Sequence, residues 1–88
     1  MRVAYCKRFF KDLACILREQ WTRIEQFAFE ELPSAASVAA SGKLERLTGF
    51  PGFYKARFGN YRVGARLEAS VLILERVLDR KEIYRKFP

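Results

Sequence analysis

Residues 53–67, FYKARFGNYRVGARL, hold four cations (Lys55, Arg57, Arg62 and Arg66) and no carboxylate. Cations gathered without acidic partners do one kind of chemistry well: they bind phosphate oxygens and stabilise charge developing on them. No His occurs anywhere in the 88 residues. Imidazole acid–base catalysis and the usual His-bearing zinc sites are therefore excluded. Catalysis by this chain would fall to Lys, Arg, Tyr or carboxylates.

Whether the four cations act together depends on the backbone that carries them. Gly59-Asn60 reads as the two-residue loop of a β-hairpin, and such a loop sets the register. Phe58 then lies opposite Tyr61, Arg57 opposite Arg62, and Lys55 opposite Gly64. Side chains alternate along a strand, so Lys55, Arg57, Arg62 and Arg66 share one face. Tyr54, Ala56, Phe58, Tyr61, Val63, Ala65 and Leu67 share the other, which is expected to pack on helices. Arg57 facing Arg62 is unfavourable by itself. Two adjacent guanidiniums, however, make a clamp for a phosphate, with Arg62 placed on the solvent face. The alternative is an ordinary solvated face of Lys and Arg. The absence of carboxylates from the run argues against it, because solvated faces mix signs.

The charge of the whole chain points the same way. Net charge is +7, and residues 43–88 hold eleven Lys/Arg against five Asp/Glu, whereas residues 1–42 hold six against five. A one-sided positive field calls for a polyanionic partner: nucleic acid, an acidic protein or an anionic surface. A membrane span is not expected, since the longest charge-free run, residues 32–42, is eleven residues, too short to cross. The N-terminus is broken by charges and shows no secretory core. Cys6 and Cys15 form no metal or disulfide framework and read as two reduced, partly buried thiols.

The elements that must position these residues can be read from periodicity. The length fits one domain, residues 1–88, with a thin core. Residues 2–6 alternate as an edge strand. Residues 7–32 contain neither Gly nor Pro, and Phe10, Leu13, Leu17, Trp21, Ile24 and Ala28 make a helical stripe. Thr22 and Glu25 form a capping-box pattern, which divides the segment into helices over 8–19 and 22–32. Residues 33–42 are small and polar, a loop. Strands follow at 43–47, 53–58, 61–67 and 70–78; the last is apolar on both faces at its start, as a central strand is. A short helix closes the chain over 79–88, with Asp79 as N-cap and Glu82 in the capping pattern. On that helix Arg80 and Tyr84 are four apart and share a face. The fold class is α+β: an N-terminal strand and helical hairpin packed on a four-stranded antiparallel sheet.

Two stretches, KLERLTGFPGFYKARFGNYRVG (43–64) and LILERVLDRKEIYRKFP (72–88), resemble the RelE-type toxins of the RelE/ParE superfamily. The pattern is Lys-Leu-x-x-Leu-x-Gly, then Tyr-(Arg/Lys)-x-Arg-x-Gly-x-Tyr-Arg-(Val/Ile)-Gly, then a terminal Arg-(Arg/Lys)-(Asp/Glu)-(Ile/Val)-Tyr helix. The resemblance covers residues 43–88 closely and residues 2–32 only as a strand and helical hairpin. It implies a toxin of a type II toxin–antitoxin system, neutralised by a cognate antitoxin, that cleaves mRNA on the ribosome in the cytoplasm. No cofactor or metal is implied. The basic catalytic cluster carries over onto Lys55, Arg57, Arg62, Arg80 and Tyr84. Lys43, Arg46, Arg66 and Lys81 flank it as expected RNA contacts. One position departs: many relatives have His where this chain has Asp79. That removes a potential proton-transfer group and adds negative charge beside the site.

The implied reaction is attack of a ribose 2′-OH on the adjacent phosphate, giving a 2′,3′-cyclic phosphate and a free 5′-OH. Arg57 and Arg62 would hold the phosphate and Arg80 the leaving oxygen. Lys55 is the candidate base, and Tyr84 would position the nucleotide. Two readings compete. A ParE-like gyrase poison would share the fold without cutting RNA, and a degenerate relative would only bind RNA.

Overall fold

In the computed structural model, which describes all 88 residues, five strands form one sheet in the order β1-β5-β4-β3-β2. They are β1 (Arg2–Tyr5), β2 (Leu44–Arg46), β3 (Phe53–Phe58), β4 (Tyr61–Glu68) and β5 (Val71–Asp79). The four C-terminal strands are antiparallel, as expected. The N-terminal strand is an edge strand too, but it joins the sheet parallel to β5, making the sheet mixed and five-stranded. Helices α1 (Lys7–Leu13) and α2 (Arg18–Gln26) then carry the chain from that edge to the opposite one, where β2 starts.

The β3–β4 hairpin has the register that its two-residue loop dictates: Phe58 faces Tyr61, Arg57 faces Arg62 and Lys55 faces Gly64. Of the loop residues only Gly59 has positive φ, 59°, the pattern of a II′ turn that matches strand twist. The next hairpin differs. Its loop residues, Ala69 and Ser70, both have positive φ, 50° and 68°, a conformation costly for residues with a Cβ. Between Gly64 and Ala65 the pairing with β5 shifts, so that Glu75 is an extra residue on β5. Such a bulge re-aims a side chain, and Glu75 here meets Arg66.

The helical hairpin breaks earlier than the capping pattern suggested. Helix α1 ends at Leu13, and α2 begins at Arg18 after an extended Leu17 that is no side-chain cap. Thr22 lies inside α2, where its hydroxyl donates to the Arg18 carbonyl. The reason is a tertiary anchor. Asp12 accepts two hydrogen bonds from Arg76 and one from the Val77 N–H. This ties the end of α1 to β5 and fixes where the chain must turn.

Helix α2 continues through a widened π turn, Phe27–Glu31, and a last turn, Leu32–Ser34. In the widened turn the Leu32 N–H goes back to Phe27, and Pro33 has no N–H to offer. The Ala28 carbonyl thus lacks a helical donor, and the Tyr5 hydroxyl supplies one at 2.7 Å. The expected loop 33–42 contains a further helical turn, α3 (Val38–Ser41), capped by the Ser37 hydroxyl and ended by Gly42 at φ 74°.

The core lies between the helices and one face of the sheet. Phe9, Leu13, Ile24, Phe27, Ala28 and Leu32 meet Tyr54, Ala56, Phe58, Val63, Leu72 and Leu74. Within α1 the buried residues are Phe9 and Leu13, one turn apart, rather than Phe10. Leu17 is exposed because the break after Leu13 resets the helical stripe. The C-terminal helix α4 (Arg80–Lys86) covers the opposite face with Ile83 and Phe87. Gly64 permits this, since a Cβ there would stand 2.8 Å from the Phe87 ring.

Candidate active site

Helix α4 and the outer face of β3 and β4 bring the cation-rich residues into one region. Asp79 starts the helix as its N-cap, accepting from the Lys81 and Glu82 N–H groups at 2.9 Å each. These bonds, first that of Glu82, hold its carboxyl below the usual range, aided by the Lys81 and Arg80 charges. The Arg80 N–H donates to the Asn60 carbonyl at 2.8 Å, so the helix start is tied to the hairpin turn. One turn later, the Lys55 ammonium sits 5.5 Å from the centre of the Tyr84 ring, a cation–π contact. Tyr84 is otherwise 72% exposed, and a helix-anchoring role does not account for it.

Lys55 and Tyr84 line a cleft of about 510 Å³ between the β2–β3 turn and α4. Arg46 lines it as well, together with Phe50 and Arg85, which the sequence reading passed over. Arg85 carried a signal, being next to Tyr84 in a basic tail. Phe50 carried a subtler one: an aromatic between Gly and Pro in a turn, where no core position awaits it. Arg80 and Lys81 line a separate, shallower cleft of about 360 Å³ with Asn60, Tyr61 and the exposed Leu17. The five residues of the expected catalytic cluster are therefore strung along a strip from one end of α4 to the other. Lys55 meets Tyr84, Arg57 stands opposite Arg62 in the ladder, and Arg80 sits at the hairpin turn.

Arg62 is not on an open solvent face. It is 9% exposed, and its Nη1 donates to the Gly59 and Tyr61 carbonyls at 2.8 and 2.9 Å. The like-charge pairing is relieved in this way: one guanidinium folds onto turn carbonyls while Arg57 stays exposed. Both hydrogen bonds come from Nη1, which leaves Nε and Nη2 as donors.

The flanking cations separate. Arg66 is paired with Glu68 and, at 2.5 Å, with Glu75. The run 53–67 lacks carboxylates, but its neighbours in space supply them. Lys43 pairs with Glu31 at 2.8 Å and lies over the Phe27 and Phe58 rings. It thus belongs to the helix side of the sheet, away from Lys55 and Tyr84. Arg46 and Lys81 are exposed, one in each cleft. Cys6 and Cys15 are free; Cys6 is half-buried and Cys15 exposed. No helix is long and apolar enough to cross a membrane.

No family model matches the chain. Individual relatives do. The chain is 33% identical to Toxin RelE3 of Methanocaldococcus jannaschii over 88 residues, the whole of both proteins. A chain of the RelB-RelE antitoxin-toxin complex from Methanococcus jannaschii superposes with a TM-score of 0.76 at 32% identity, over 97% of this chain and 99% of that one. The isolated E. coli RelE toxin shares the fold, with a TM-score of 0.66 at 20% identity over 97% and 92% of the two chains. Identity of about a third along the whole of both chains, on a closely matching backbone, makes this chain a member of the RelE family of toxins.

Proposed function

We propose that this chain is the toxin of a toxin–antitoxin pair and a single-domain endoribonuclease that cleaves mRNA on the ribosome, in the cytoplasm. The observation that carries the reading is the full-length match to a RelE toxin. The site chemistry agrees with it. A related chain was solved as a RelB-RelE antitoxin-toxin complex, and a cognate antitoxin is the partner proposed here. Among the relatives described above, nothing favours a gyrase poison.

The reaction is attack of a ribose 2′-OH on the neighbouring phosphate, with departure of the 5′-oxygen. Negative charge grows on the phosphate oxygens, and preorganised cations aimed there are the largest catalytic term on offer. Arg57, exposed and unpaired, takes the phosphate together with Nε and Nη2 of Arg62. Arg62 is the more rigid of the two, because turn carbonyls hold its Nη1. In its free-amine form Lys55 takes the proton of the attacking hydroxyl and so becomes an ammonium, whose place in the cleft is over the Tyr84 ring. Arg80 meets the negative charge on the leaving oxygen at the helix start, and solvent water gives that oxygen the proton that makes it a 5′-OH. Guanidinium and ammonium groups supply the positive charge, so the mechanism proposed is metal-independent.

The test is primer extension on programmed ribosomes in a cell-free translation system. Wild type should cut the message, and Lys55→Ala should not. Intact message at toxin concentrations that stop translation would overturn the ribonuclease reading and favour a binding-only toxin. Intact message with translation unaffected would overturn it in favour of a gyrase-type one.

A further inference from the structure

The cleft beside Lys55 and Tyr84 contains a residue that neither the core nor the reaction above uses. Phe50 sits in the turn between β2 and β3, 49% exposed, and stands outside the hydrophobic core. The turn is not slack. Its Phe50 N–H returns to Leu47, and the Phe53 N–H donates to the Phe50 carbonyl. The Leu67 N–H of β4 also binds the Gly52 carbonyl at 2.8 Å. Gly49 and Gly52, at φ 82° and 83°, supply the left-handed positions this turn needs. A half-exposed aromatic ring on a backbone held from both sides is a pre-set surface. Phe10 is about as exposed, but it stacks on Phe29 with rings 6.1 Å apart and 11° from parallel.

The surroundings of Phe50 say what the ring would meet. The cleft is lined by the cations Arg46, Lys55 and Arg85, with Glu45 the one acidic side chain, and Tyr84 contributes a second exposed ring. Rings beside exposed cations suit a nucleotide: the base stacks on the ring and the phosphate meets the guanidinium. Arg85 pairs only with Glu82, at 3.5 Å and in solvent, a contact a phosphate can displace. We propose that Phe50 is a stacking residue for one unpaired base of the RNA, with Arg46 and Arg85 on its phosphate. This base neighbours the scissile step at Lys55 and Tyr84 and sets sequence preference there. The inference rests on the ribonuclease reading and deepens it by naming a base subsite. An acidic protein segment could use the same cations but would have less use for a rigid exposed ring.

The test uses a short single-stranded RNA with 2-aminopurine at one position and 2′-O-methyl groups throughout to block cleavage. Stacking quenches 2-aminopurine. Phe50→Ala should weaken binding at least about fivefold and abolish the quench. Phe50→Trp should retain both, and Phe10→Ala should change neither. In ribosome cleavage, Phe50→Ala should alter which codons are cut while Lys55→Ala stops cutting altogether. Unchanged RNA affinity in Phe50→Ala would overturn the base site and leave the cleft to a protein segment. Equal losses in Phe50→Ala and Phe50→Trp would also overturn it, since turn shape rather than stacking would then matter. Wild type that cleaves mRNA without quenching any probe keeps the ribonuclease and loses the stacking site. Wild type that quenches the probe and cleaves nothing keeps the site and loses the ribonuclease.

Discussion

The cations of β3, β4, β5 and the first turn of α4 divide into two populations by location. Those on β4 and β5 are satisfied within the fold: Arg76 by Asp12, Arg66 by Glu75 and Glu68, and Arg62 by turn carbonyls. Those on β3 and at the start of α4, namely Lys55, Arg57, Arg80 and Lys81, take part in no ion pair. A buried guanidinium has to be neutralised or hydrogen-bonded, because desolvating it alone is prohibitive. An exposed one can be left for a partner. Cations of one chemical type therefore serve structure in one region and stay available for ligands in the other.

Removing the anchor of the satisfied population should have the largest effect on stability. Asp12 and Arg76 are 13% and 15% exposed. Asp12→Ala strands a largely buried guanidinium and the Val77 N–H, and should cost about 3 kcal/mol. For a domain of this size that lowers the melting temperature by roughly 12–24 °C. Urea denaturation reads it directly, and a loss below about 1 kcal/mol would mean that the pair is not an anchor.

The opposite population should show the converse. Arg57→Ala should reduce cleavage by a factor of about 10²–10³ with no loss of stability, because its like-charged partner is Arg62. Single-turnover cleavage beside a thermal melt separates the two. A destabilised Arg57→Ala protein would place Arg57 with the structural cations.

Arg62 belongs to both populations and should behave accordingly. Arg62→Ala frees the Gly59 and Tyr61 carbonyls and should cost about 1.5–3 kcal/mol while also lowering cleavage of the folded fraction. Normal cleavage per folded molecule would make Arg62 purely structural.

Two smaller effects sharpen the picture of the turns. Ser70→Gly relieves a left-handed residue bearing a Cβ and should stabilise the protein by about 1 kcal/mol, seen as a rise in urea midpoint. The smallest effect is that of Asp79. Its carboxyl is held below the ordinary value of 3.8 in the folded protein. The protonated form is thus favoured by unfolding. The stability it contributes is present above about pH 4 and is lost as pH falls through its lower folded value. Asp79→Asn still caps and should flatten that acid limb of a stability–pH curve. An unchanged limb would assign acid sensitivity to other carboxylates.

How much of this was legible beforehand follows from range. Gly59-Asn60 is a two-residue loop, so the register of the hairpin follows from local geometry alone, and with it Arg57 opposite Arg62. The Asp79 cap and the burial of Ala56, Phe58, Val63 and Ala65 are equally local: a period of two and a side chain reaching two or three residues ahead. What lies beyond that reach was decided by contacts across the chain. Asp12 and Arg76 are 64 residues apart, and their pairing moved the helix break from the Thr22 pattern to Ala14–Leu17. Glu75 reached Arg66 only through a bulge on another strand, so one cation of a run that reads as free of carboxylates is neutralised in space. Lys43 reads as one more cation of a basic half, yet Glu31 and two phenyl rings hold it on the far side of the sheet. Residue types and periodicity determined the sheet, its faces and the cationic composition of the site. Which cations remain free could be decided only by the tertiary structure, because a charge is spent or spared according to what desolvates and pairs it, and those partners are distant in sequence.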